Sequence, residues 1–193
     1  MVTAIIMASG FSKRMGKNKL MMNFKGKPII KHVIDNIKNI CFNEIIFIGR
    51  DKDVLDIAKK EGLNTFENTK AYKGKSEAIK IAVKNAKTSD GYMFLVGDQP
   101  FIDEKTIKTL LDVFEKNKDK IIIPKYRGRK GNPTIFPFKY KDDLMKITGD
   151  EGGKTIINSN LDKRIFVQIN SEKPLIDIDT MEEYKKLVGG LYG

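Results

Sequence analysis

Short β-rich runs alternate along this chain with helical stripes of apolar residues. The stripes have helical spacing, as at Ile30, Val33, Ile34 and Ile37. The β-rich runs lie between them, at residues 3–7, 44–48, 92–96, 121–123, 134–136 and 165–169. Strands that alternate with amphipathic helices are typical of a mostly parallel sheet covered by helices. We therefore expect an α/β fold, with ligands bound at the carboxyl ends of the strands.

The chain has 193 residues, no internal repeat and no Pro/Gly/Ser-rich linker. We therefore expect a single domain over residues 1–193. The apolar start, MVTAIIM, lacks a basic segment and a cleavage site. No later apolar run approaches the roughly 20 residues that span a bilayer. These features predict a soluble, cytoplasmic protein that does not enter a membrane.

The formal net charge of +11 favours an anionic partner. Most basic residues are lysines scattered beside acids, whereas three of the five arginines, Arg14, Arg127 and Arg129, lie in two Gly-containing loops. Because the arginine fork suits phosphate recognition, this pattern favours a phosphorylated ligand over nucleic acid. The chain has one cysteine and one histidine, Cys41 and His32, so a bound metal must rest on carboxylates.

The stretch MASGFSKRMGKNKL follows the first predicted strand. Gly10 and Gly16 allow backbone conformations in which successive N–H groups point at phosphate oxygens. Arg14 can bracket the phosphates, Lys19 can neutralise charge on the reacting phosphorus, and Ser12 can donate a hydroxyl hydrogen bond. The alternative is a glycine-containing turn with solvated basic residues, since the loop matches neither the Walker A pattern nor G-x-G-x-x-G.

The same stretch resembles the signature L-A-[AG]-G-x-S-x-R-M-G-x-x-K of nucleotidyltransferases that activate sugars, isoprenoid precursors and the molybdenum cofactor. It is most similar to the molybdenum cofactor cytidylyltransferases, whose loop tends to read Asn-Lys-Leu, as at residues 18–20; guanylyltransferase relatives tend to have Asp-Lys-Ala. The resemblance implies a three-layer sandwich with a Rossmann-like sheet, similar to the nucleotide-diphospho-sugar transferases. Ser9 stands where the family more often has Ala or Gly. By resemblance, the nucleotide-binding residues of this loop are Ala8, Ser9, Gly10, Ser12, Arg14 and Lys19.

Two acidic segments are candidates for a metal site. Asp98, in YMFLVGDQPFID, follows a predicted strand and could either hold Mg²⁺ or make a local turn hydrogen bond. The resemblance of GDQP to the family's metal-binding motif favours the metal. In PLIDIDTMEEYKKL, Asp177 and Asp179 would point to one face of a strand, and Asp179 resembles the start of the family's D-T-P-E-D segment. We prefer Asp179 as the second ligand, Asp177 being the other choice; alternatively, Asp179 or Thr180 caps the last helix.

Two further segments complete the predicted site. Ser76, in KGKSEAIKIAV, is a predicted helix N-cap, and the resemblance places Gly74 and Ser76 near the nucleotide base. PKYRGRKGNPTIF is either a solvated basic hairpin or, by its resemblance to the Y-x-G-x-R-G-[HN]-P element of the cytidylyltransferases, a binding loop for the molybdenum cofactor. GDEGGK resembles another element on that side. The residues assigned to cofactor-substrate binding are Arg127, Arg129, Gly131, Asn132, Pro133 and Asp150.

The resemblance implies transfer of CMP from CTP to Mo-molybdopterin, giving molybdopterin cytosine dinucleotide and pyrophosphate, with Mg²⁺ as cofactor. Lys19, Arg14 and Asp98 would be the catalytic residues, and Asp98 and Asp179 the metal ligands. No general base is needed, because the attacking phosphate oxygen is already anionic, so catalysis is positioning and charge stabilisation. The resemblance also implies transient contact with a molybdenum hydroxylase or its maturation chaperone.

The alternatives within enzymes are guanylyl transfer to the same pterin and nucleotidyl transfer to another phosphorylated acceptor. From other classes, the chain could be a carrier or chaperone of the molybdenum cofactor, or an RNA-binding module. A carrier would not need Lys19 and Asp98. An RNA-binding module would interleave aromatic and basic residues on an exposed surface. Neither description suits this sequence.

Overall fold

The computed structural model describes residues 1–190 as a central sheet with helices on both faces. The strands are β1 (Val2–Ala8), β2 (Asn23–Phe24), β3 (Lys27–Pro28), β4 (Glu44–Gly49), β5 (Asn64–Glu67), β6 (Gly91–Val96), β7 (Ile121–Tyr126), β8 (Arg129–Lys130), β9 (Thr134–Pro137) and β10 (Arg164–Gln168). The α-helices are α1 (Ile29–Ile37), α2 (Lys52–Lys60), α3 (Lys75–Asn85), α4 (Glu104–Glu115), α5 (Lys141–Lys146), α6 (Lys154–Ser159) and α7 (Met181–Val188).

The main sheet has the strand order β10-β7-β9-β6-β1-β4-β5, and β8 pairs with β7. β1 lies parallel to β4 and β6, β4 to β5, and β7 to β10, whereas β9 runs antiparallel between β6 and β7. The prediction of a mostly parallel sheet is confirmed. The six predicted segments lie in β1, β4, β6, β7, β9 and β10, except that Ile169 falls one residue past the end of β10. The sequence pattern misses β5, because this edge strand is half-buried or exposed and has no apolar period.

Hydrophobic clusters on the two faces of the sheet produce the three layers. Ala4 and Ile6 of β1 pack with α1, α2 and α4, while Ile5 of the same strand packs with α3, α5 and α6. Because side chains alternate across a strand, a strand covered on both faces is buried continuously, as residues 2–6 are. The apolar stripe predicted for α1 is also confirmed, since all four of its residues are fully buried. Within residues 1–190, no helix has both the length and the apolar character to cross a bilayer.

The start of α3 differs from the sequence prediction. Ser76 is not the N-cap; it lies inside the helix, is 1% exposed, and is preceded by Gly74 as the cap residue. The capping bond comes from elsewhere, because Asp150 Oδ1 accepts a hydrogen bond from the Lys75 N–H at 3.0 Å. A distant carboxylate thus supplies the acceptor that an N-cap side chain would otherwise provide.

A third, smaller cluster joins the loop after β1 to the C-terminal helix. Met15 packs with Phe24, Ile29, Ile178 and Leu187, and all five residues are buried. Ile178 belongs to the segment just before α7, and Leu187 belongs to α7 itself. The cluster therefore brings the end of the described chain to the carboxyl end of β1.

Candidate active site

The loop after β1 has a backbone shape suited to a ligand. Ser12 and Gly16 have φ angles of 51° and 64°, a region that glycine adopts more readily than other residues. The Ser12 carbonyl accepts a hydrogen bond from the Met15 N–H at 2.9 Å, and Ser12 Oγ accepts one from the Lys19 N–H at 3.3 Å. A Cβ added at Gly10 would meet no atom of residues 1–190 within 4 Å. The outer side of this loop is therefore open.

Four charged residues that the sequence singles out meet beside this loop. Lys19 Nζ lies 2.5 Å from Asp98 Oδ2 and 2.7 Å from Asp179 Oδ1. The Arg14 guanidinium lies 2.7 Å from Asp179 Oδ2. Lys19 is only 9% exposed, whereas the Arg14 side chain is largely exposed. Two cations thus face two carboxylates that come from distant parts of the chain.

Charge pairing outweighs burial in this cluster. Burial would lower the pKa of Lys19, but the charge of Asp98 and the hydrogen bonds to Asp179 and Asp98 raise this pKa above its ordinary value. Burial would likewise raise the pKa of Asp179, but its contacts with Lys19 and Arg14 bring this pKa below its ordinary value. Lys19 is therefore positively charged and Asp179 negatively charged at neutral pH.

Asp177 has different surroundings from Asp179. Its Oδ1 accepts a hydrogen bond from Gln99 Nε2 at 2.6 Å. Burial, followed by the charge of Asp98, raises the pKa of Asp177 to about 6. The prediction that Asp177 and Asp179 share one face of a strand is wrong, because residues 176–179 form no strand. The segment is held instead by a backbone hydrogen bond from the Ile178 N–H to the Asp98 carbonyl at 3.1 Å.

The helix that follows Asp179 has its own cap. The Thr180 side chain accepts a hydrogen bond from the Glu183 N–H, and the Glu183 carboxylate accepts bonds from the N–H groups of Thr180 and Asp179. This capping box satisfies the start of α7. The alternative that Asp179 caps the helix with its side chain is therefore excluded, and its carboxylate is directed at Lys19 and Arg14.

The Asp98 and Asp179 carboxylates fit a divalent cation. They already share one cation, the Lys19 ammonium. Asp98 Oδ1 is buried and has no hydrogen-bond partner among the described residues. Within residues 1–190 no three His, Cys, Asp or Glu residues are grouped to hold a metal, so the protein would supply only a sparse ligand set. Such a set suits Mg²⁺, which typically takes one or two protein carboxylates and completes its shell with phosphate oxygens and water.

The residues predicted for the base side lie at the start of α3. Gly74 has a φ of 104°, and a Cβ added there would lie 2.4 Å from the backbone carbonyl of Gly149. The same carbonyl accepts a hydrogen bond from the Ser76 N–H at 3.0 Å. Ser76 Oγ is buried without a partner in the described part of the chain. The structure therefore joins the Gly74 segment to the segment that contains Asp150.

The loop predicted to bind the molybdenum cofactor forms a tight hairpin between β7 and β8. Arg127 and Gly128 have φ angles of 44° and 92°, as in the two-residue turns that match the twist of a hairpin. The Arg129 guanidinium binds Glu172 Oε1 at 2.8 Å and the Leu175 carbonyl at 3.1 Å. The basic hairpin is thus anchored to the segment that precedes Asp177. The other predicted residues of this loop follow β8: Gly131, Asn132 and Pro133.

Sequence reasoning missed a polar link between the loop after β1 and the ends of β4 and β5. The Arg50 guanidinium lies 4.3 Å from the ring centroid of the exposed Phe11 and also binds Asp51. Asn68, which is 1% exposed, donates from Nδ2 to Ser9 Oγ at 3.1 Å. Ligands of parallel sheets lie at the carboxyl ends of strands. The position of Arg50 and Asn68 directly after β4 and β5 is therefore the sequence signal that could have identified them.

Comparison with known proteins finds relatives whose names describe nucleotidyl transfer. The family model described as a MobA-like NTP transferase domain matches residues 4–165. A probable molybdenum cofactor guanylyltransferase of Natranaerobius thermophilus is 33% identical over 128 residues, covering 66% of this chain and 62% of that protein. A 3-deoxy-manno-octulosonate cytidylyltransferase of Wigglesworthia glossinidia brevipalpis is 31% identical, covering 62% of this chain and 48% of that protein. Each of these two matches spans less than two thirds of the relative's own length.

Solved structures share the fold. Rv0371c of Mycobacterium tuberculosis H37Rv, in complex with manganese, has a TM-score of 0.78 at 17% identity, covering 97% of this chain and 98% of that chain. The expected three-layer fold of the nucleotide-diphospho-sugar transferase type is confirmed. The family match confirms the resemblance to the nucleotidyltransferases of the molybdenum cofactor, and the chain belongs to the MobA-like NTP transferase domain family.

Proposed function

We propose that this protein is a nucleotidyltransferase that transfers CMP from CTP to Mo-molybdopterin and releases pyrophosphate. The proposal is carried by the cluster of Lys19, Asp98 and Asp179 beside the open glycine loop. Nucleotidyl transfer depends on positioning and on stabilising negative charge around phosphorus, and this cluster supplies suitable groups. The family supports the proposal, since its model describes an NTP transferase domain.

The nucleotide would lie along the loop after β1. Backbone N–H groups near Gly10 and Gly16 would bind phosphate oxygens. The Ser12 hydroxyl would donate to a phosphate, because its oxygen already accepts from the Lys19 N–H. Arg14, exposed at the edge of the loop, would bind the β and γ phosphates. Lys19 would turn from the carboxylates to the α-phosphate and stabilise the charge that develops there.

The acceptor phosphate would attack the α-phosphorus in line with the leaving pyrophosphate. One P–O bond forms as the bond from the α-phosphorus to the bridging oxygen breaks. The attacking oxygen is already anionic near neutral pH, so no side chain needs to remove a proton. His32 lies outside this cluster, with its Nε2 hydrogen-bonded to the Phe24 carbonyl at 2.7 Å, which agrees with a mechanism that needs no general base.

Asp98 and Asp179 would hold Mg²⁺. When bound, the ion would offset the negative charge of the triphosphate and help to orient it. The assignment is supported by the contact of both carboxylates with the one Lys19 ammonium. It is also supported by Asp98 Oδ1, which is buried and has no hydrogen-bond partner within residues 1–190. A divalent cation is also present in the manganese complex of similar fold.

The β7–β8 hairpin would bind the acceptor. The Arg127 guanidinium lies over the Tyr126 ring, 5.3 Å from its centroid, and the residues described here give it no carboxylate partner. It can therefore bind an anionic group of the pterin, while Arg129 anchors the hairpin. Transient contact with a molybdenum hydroxylase or its maturation chaperone stays a prediction.

Guanylyl transfer from GTP is the second candidate. It is favoured by the relative named a probable molybdenum cofactor guanylyltransferase. CTP is favoured by the resemblance of Asn18, Lys19 and Leu20 to the cytidylyltransferase loop. The name of the second relative also includes cytidylyl transfer, although to a different acceptor.

The test follows label from each α-labelled nucleoside triphosphate into a dinucleotide, with purified protein, Mg²⁺ and Mo-molybdopterin. We expect labelled dinucleotide from CTP. Transfer from GTP alone would overturn the choice of base and leave the site assignment intact. If the cofactor binds but no triphosphate reacts, the enzyme proposal fails and a cofactor carrier becomes the better description.

A further inference from the structure

Gln99 is a buried polar residue next to Asp98. It is 2% exposed and donates to Asp177 Oδ1 at 2.6 Å. A backbone bond from the Ile178 N–H to the Asp98 carbonyl, at 3.1 Å, runs beside it. These two contacts hold the segment that ends in Asp179 against the loop that follows β6.

The surroundings of the Asp177 carboxylate are unfavourable unless a hydrogen-bond donor contacts it. Its carboxylate is half-buried and lies near the charge of Asp98. A buried carboxylate without a hydrogen-bond donor is costly, and repulsion from Asp98 would add to the cost. The Gln99 amide supplies that donor. Because it is neutral, it leaves Lys19 as the shared cation of Asp98 and Asp179.

The anchored segment ends in Asp179, whose carboxylate meets that of Asp98 at the Lys19 ammonium. Lys19 Nζ contacts both carboxylates, at 2.5 Å and 2.7 Å, so their separation suits a single cation. Groups that orient metal-ligating side chains commonly tune the affinity for the metal. We propose that Gln99 is a positioning residue, which through Asp177 holds Asp179 opposite Asp98 so that both carboxylates face one divalent cation. The inference rests on the proposed function, and it gives Asp179 the ligand role and Asp177 a supporting one.

The first test measures Mn²⁺ affinity of the full chain by electron paramagnetic resonance, with CTP present. Gln99→Met removes the amide donor and keeps the length of the side chain. We expect it to weaken Mn²⁺ binding by about 10–100-fold and to leave binding of metal-free CTP unchanged. Gln168→Met, at an exposed position on β10, is the matched control and should bind Mn²⁺ as the wild type does.

The second test exchanges donor and acceptor between the two side chains. Gln99→Glu sets a carboxylate against Asp177 and should weaken Mn²⁺ binding. Adding Asp177→Asn restores a donor–acceptor pair of the same size and should recover binding. Asp177→Asn alone keeps an oxygen acceptor for Gln99, so it should bind Mn²⁺ better than Gln99→Met does. A merely structural role would change thermal stability without this order of Mn²⁺ affinities.

The inference is overturned if Gln99→Met binds Mn²⁺ as tightly as the wild type, or if the double variant is no better than Gln99→Glu. It is also overturned if Asp177→Asn loses as much affinity as Asp179→Asn, since Asp177 would then be a ligand itself. Failure of the wild type to bind Mn²⁺ with any nucleoside triphosphate would overturn the proposed metal site, and this inference with it.

Discussion

Among the single residues of the site, Lys19 has two competing sets of partners. Its ammonium holds the carboxylates of Asp98 and Asp179, and the proposed mechanism requires it to bind the α-phosphate. A divalent cation on the same two carboxylates would lie close to the ammonium and be repelled by it. Lys19 should therefore oppose metal binding until a triphosphate offers it another partner.

This competition predicts opposite effects of Lys19→Met on binding and on catalysis. Without nucleotide, the variant should bind Mn²⁺ more tightly than the wild type, because two carboxylates lose their shared cation. Nucleotidyl transfer should fall by about 100-fold or more, because charge stabilisation at the α-phosphate is lost. Calorimetric Mn²⁺ titration and label transfer measure the two effects. The control is Lys13→Met, in the same loop but exposed near the Phe11 ring, which should change neither Mn²⁺ binding nor label transfer by a comparable amount. Weaker Mn²⁺ binding by Lys19→Met than by the wild type would contradict the competition.

Asp177 gives a prediction about stability and pH. Burial and the charge of Asp98 raise its pKa to about 6 in the folded protein, whereas the unfolded chain loses this proton near pH 4. The folded state therefore binds more protons between these values, and this carboxyl lowers the free energy of unfolding as pH rises through that window. Asp177→Asn should unfold with a free energy about 1–3 kcal/mol above that of the wild type at neutral pH. Urea denaturation should show the difference vanishing towards pH 4, and a difference independent of pH would contradict the assignment.

Among the secondary-structure elements, those with a strong apolar pattern are predicted correctly from the sequence. The buried strand β1 and the stripe on α1 are examples. The start of α3 does not follow, because Ser76 looks like a cap while Asp150, 75 residues from its partner Lys75, supplies the capping oxygen. The short edge strand β5 is also missed, since its pairing with β4 rather than its own residues defines it. Local patterns do not encode such distant partners.

The contact between Gly74 and Gly149 gives a prediction about α3. Gly74→Ala combines a φ of 104° with a Cβ 2.4 Å from the Gly149 carbonyl. Gly62→Ala has a φ of 75°, but its Cβ meets no atom within 4 Å in the described part of the chain, so it isolates the effect of φ. We expect Gly62→Ala to lower the free energy of unfolding by about 1 kcal/mol and Gly74→Ala by about 3 kcal/mol or more. Urea denaturation measures both free energies of unfolding. If the two variants lose the same amount, the close approach of Gly74 to the Gly149 carbonyl does not contribute to stability, and the prediction is wrong.

In the whole molecule, the site is assembled from segments far apart in the sequence. Lys19 meets Asp98 and Asp179 across separations of 79 and 160 residues. The motifs identify these three residues individually, and the rule that ligands bind at strand ends predicts where Lys19 and Asp98 lie, in the loops after β1 and β6. Asp179 lies in a segment without strand structure, so the rule does not predict its place. The sequence does not reveal that they pair with one another, nor that Gln99 supports Asp177. Both contacts reach the segment just before α7, and this segment packs through Ile178 against Met15 and Leu187.

The docking of α7 predicts a link between the C-terminal helix and the metal site. Leu187 is 1% exposed in the cluster with Met15 and Ile178, whereas the adjacent Val188 is 57% exposed. Leu187→Ala should lower the free energy of unfolding by about 2–5 kcal/mol. It should also weaken Mn²⁺ binding in the protein that remains folded, because Ile178 positions Asp179. Val188→Ala is the control, and unchanged Mn²⁺ binding in Leu187→Ala would contradict the link.

The decisive measurement is a single-turnover assay of label transfer from α-labelled CTP to Mo-molybdopterin with Mg²⁺. Wild-type protein and Asp98→Asn are compared with Asp142→Asn, an exposed substitution on α5. We predict that the wild type forms dinucleotide and pyrophosphate in equal amounts. Asp142→Asn should form the same products as the wild type does. Asp98→Asn should remain folded and slow the transfer by about 100-fold or more. Transfer by folded Asp98→Asn at the wild-type rate would show that the Lys19, Asp98 and Asp179 cluster is not the site of nucleotidyl transfer.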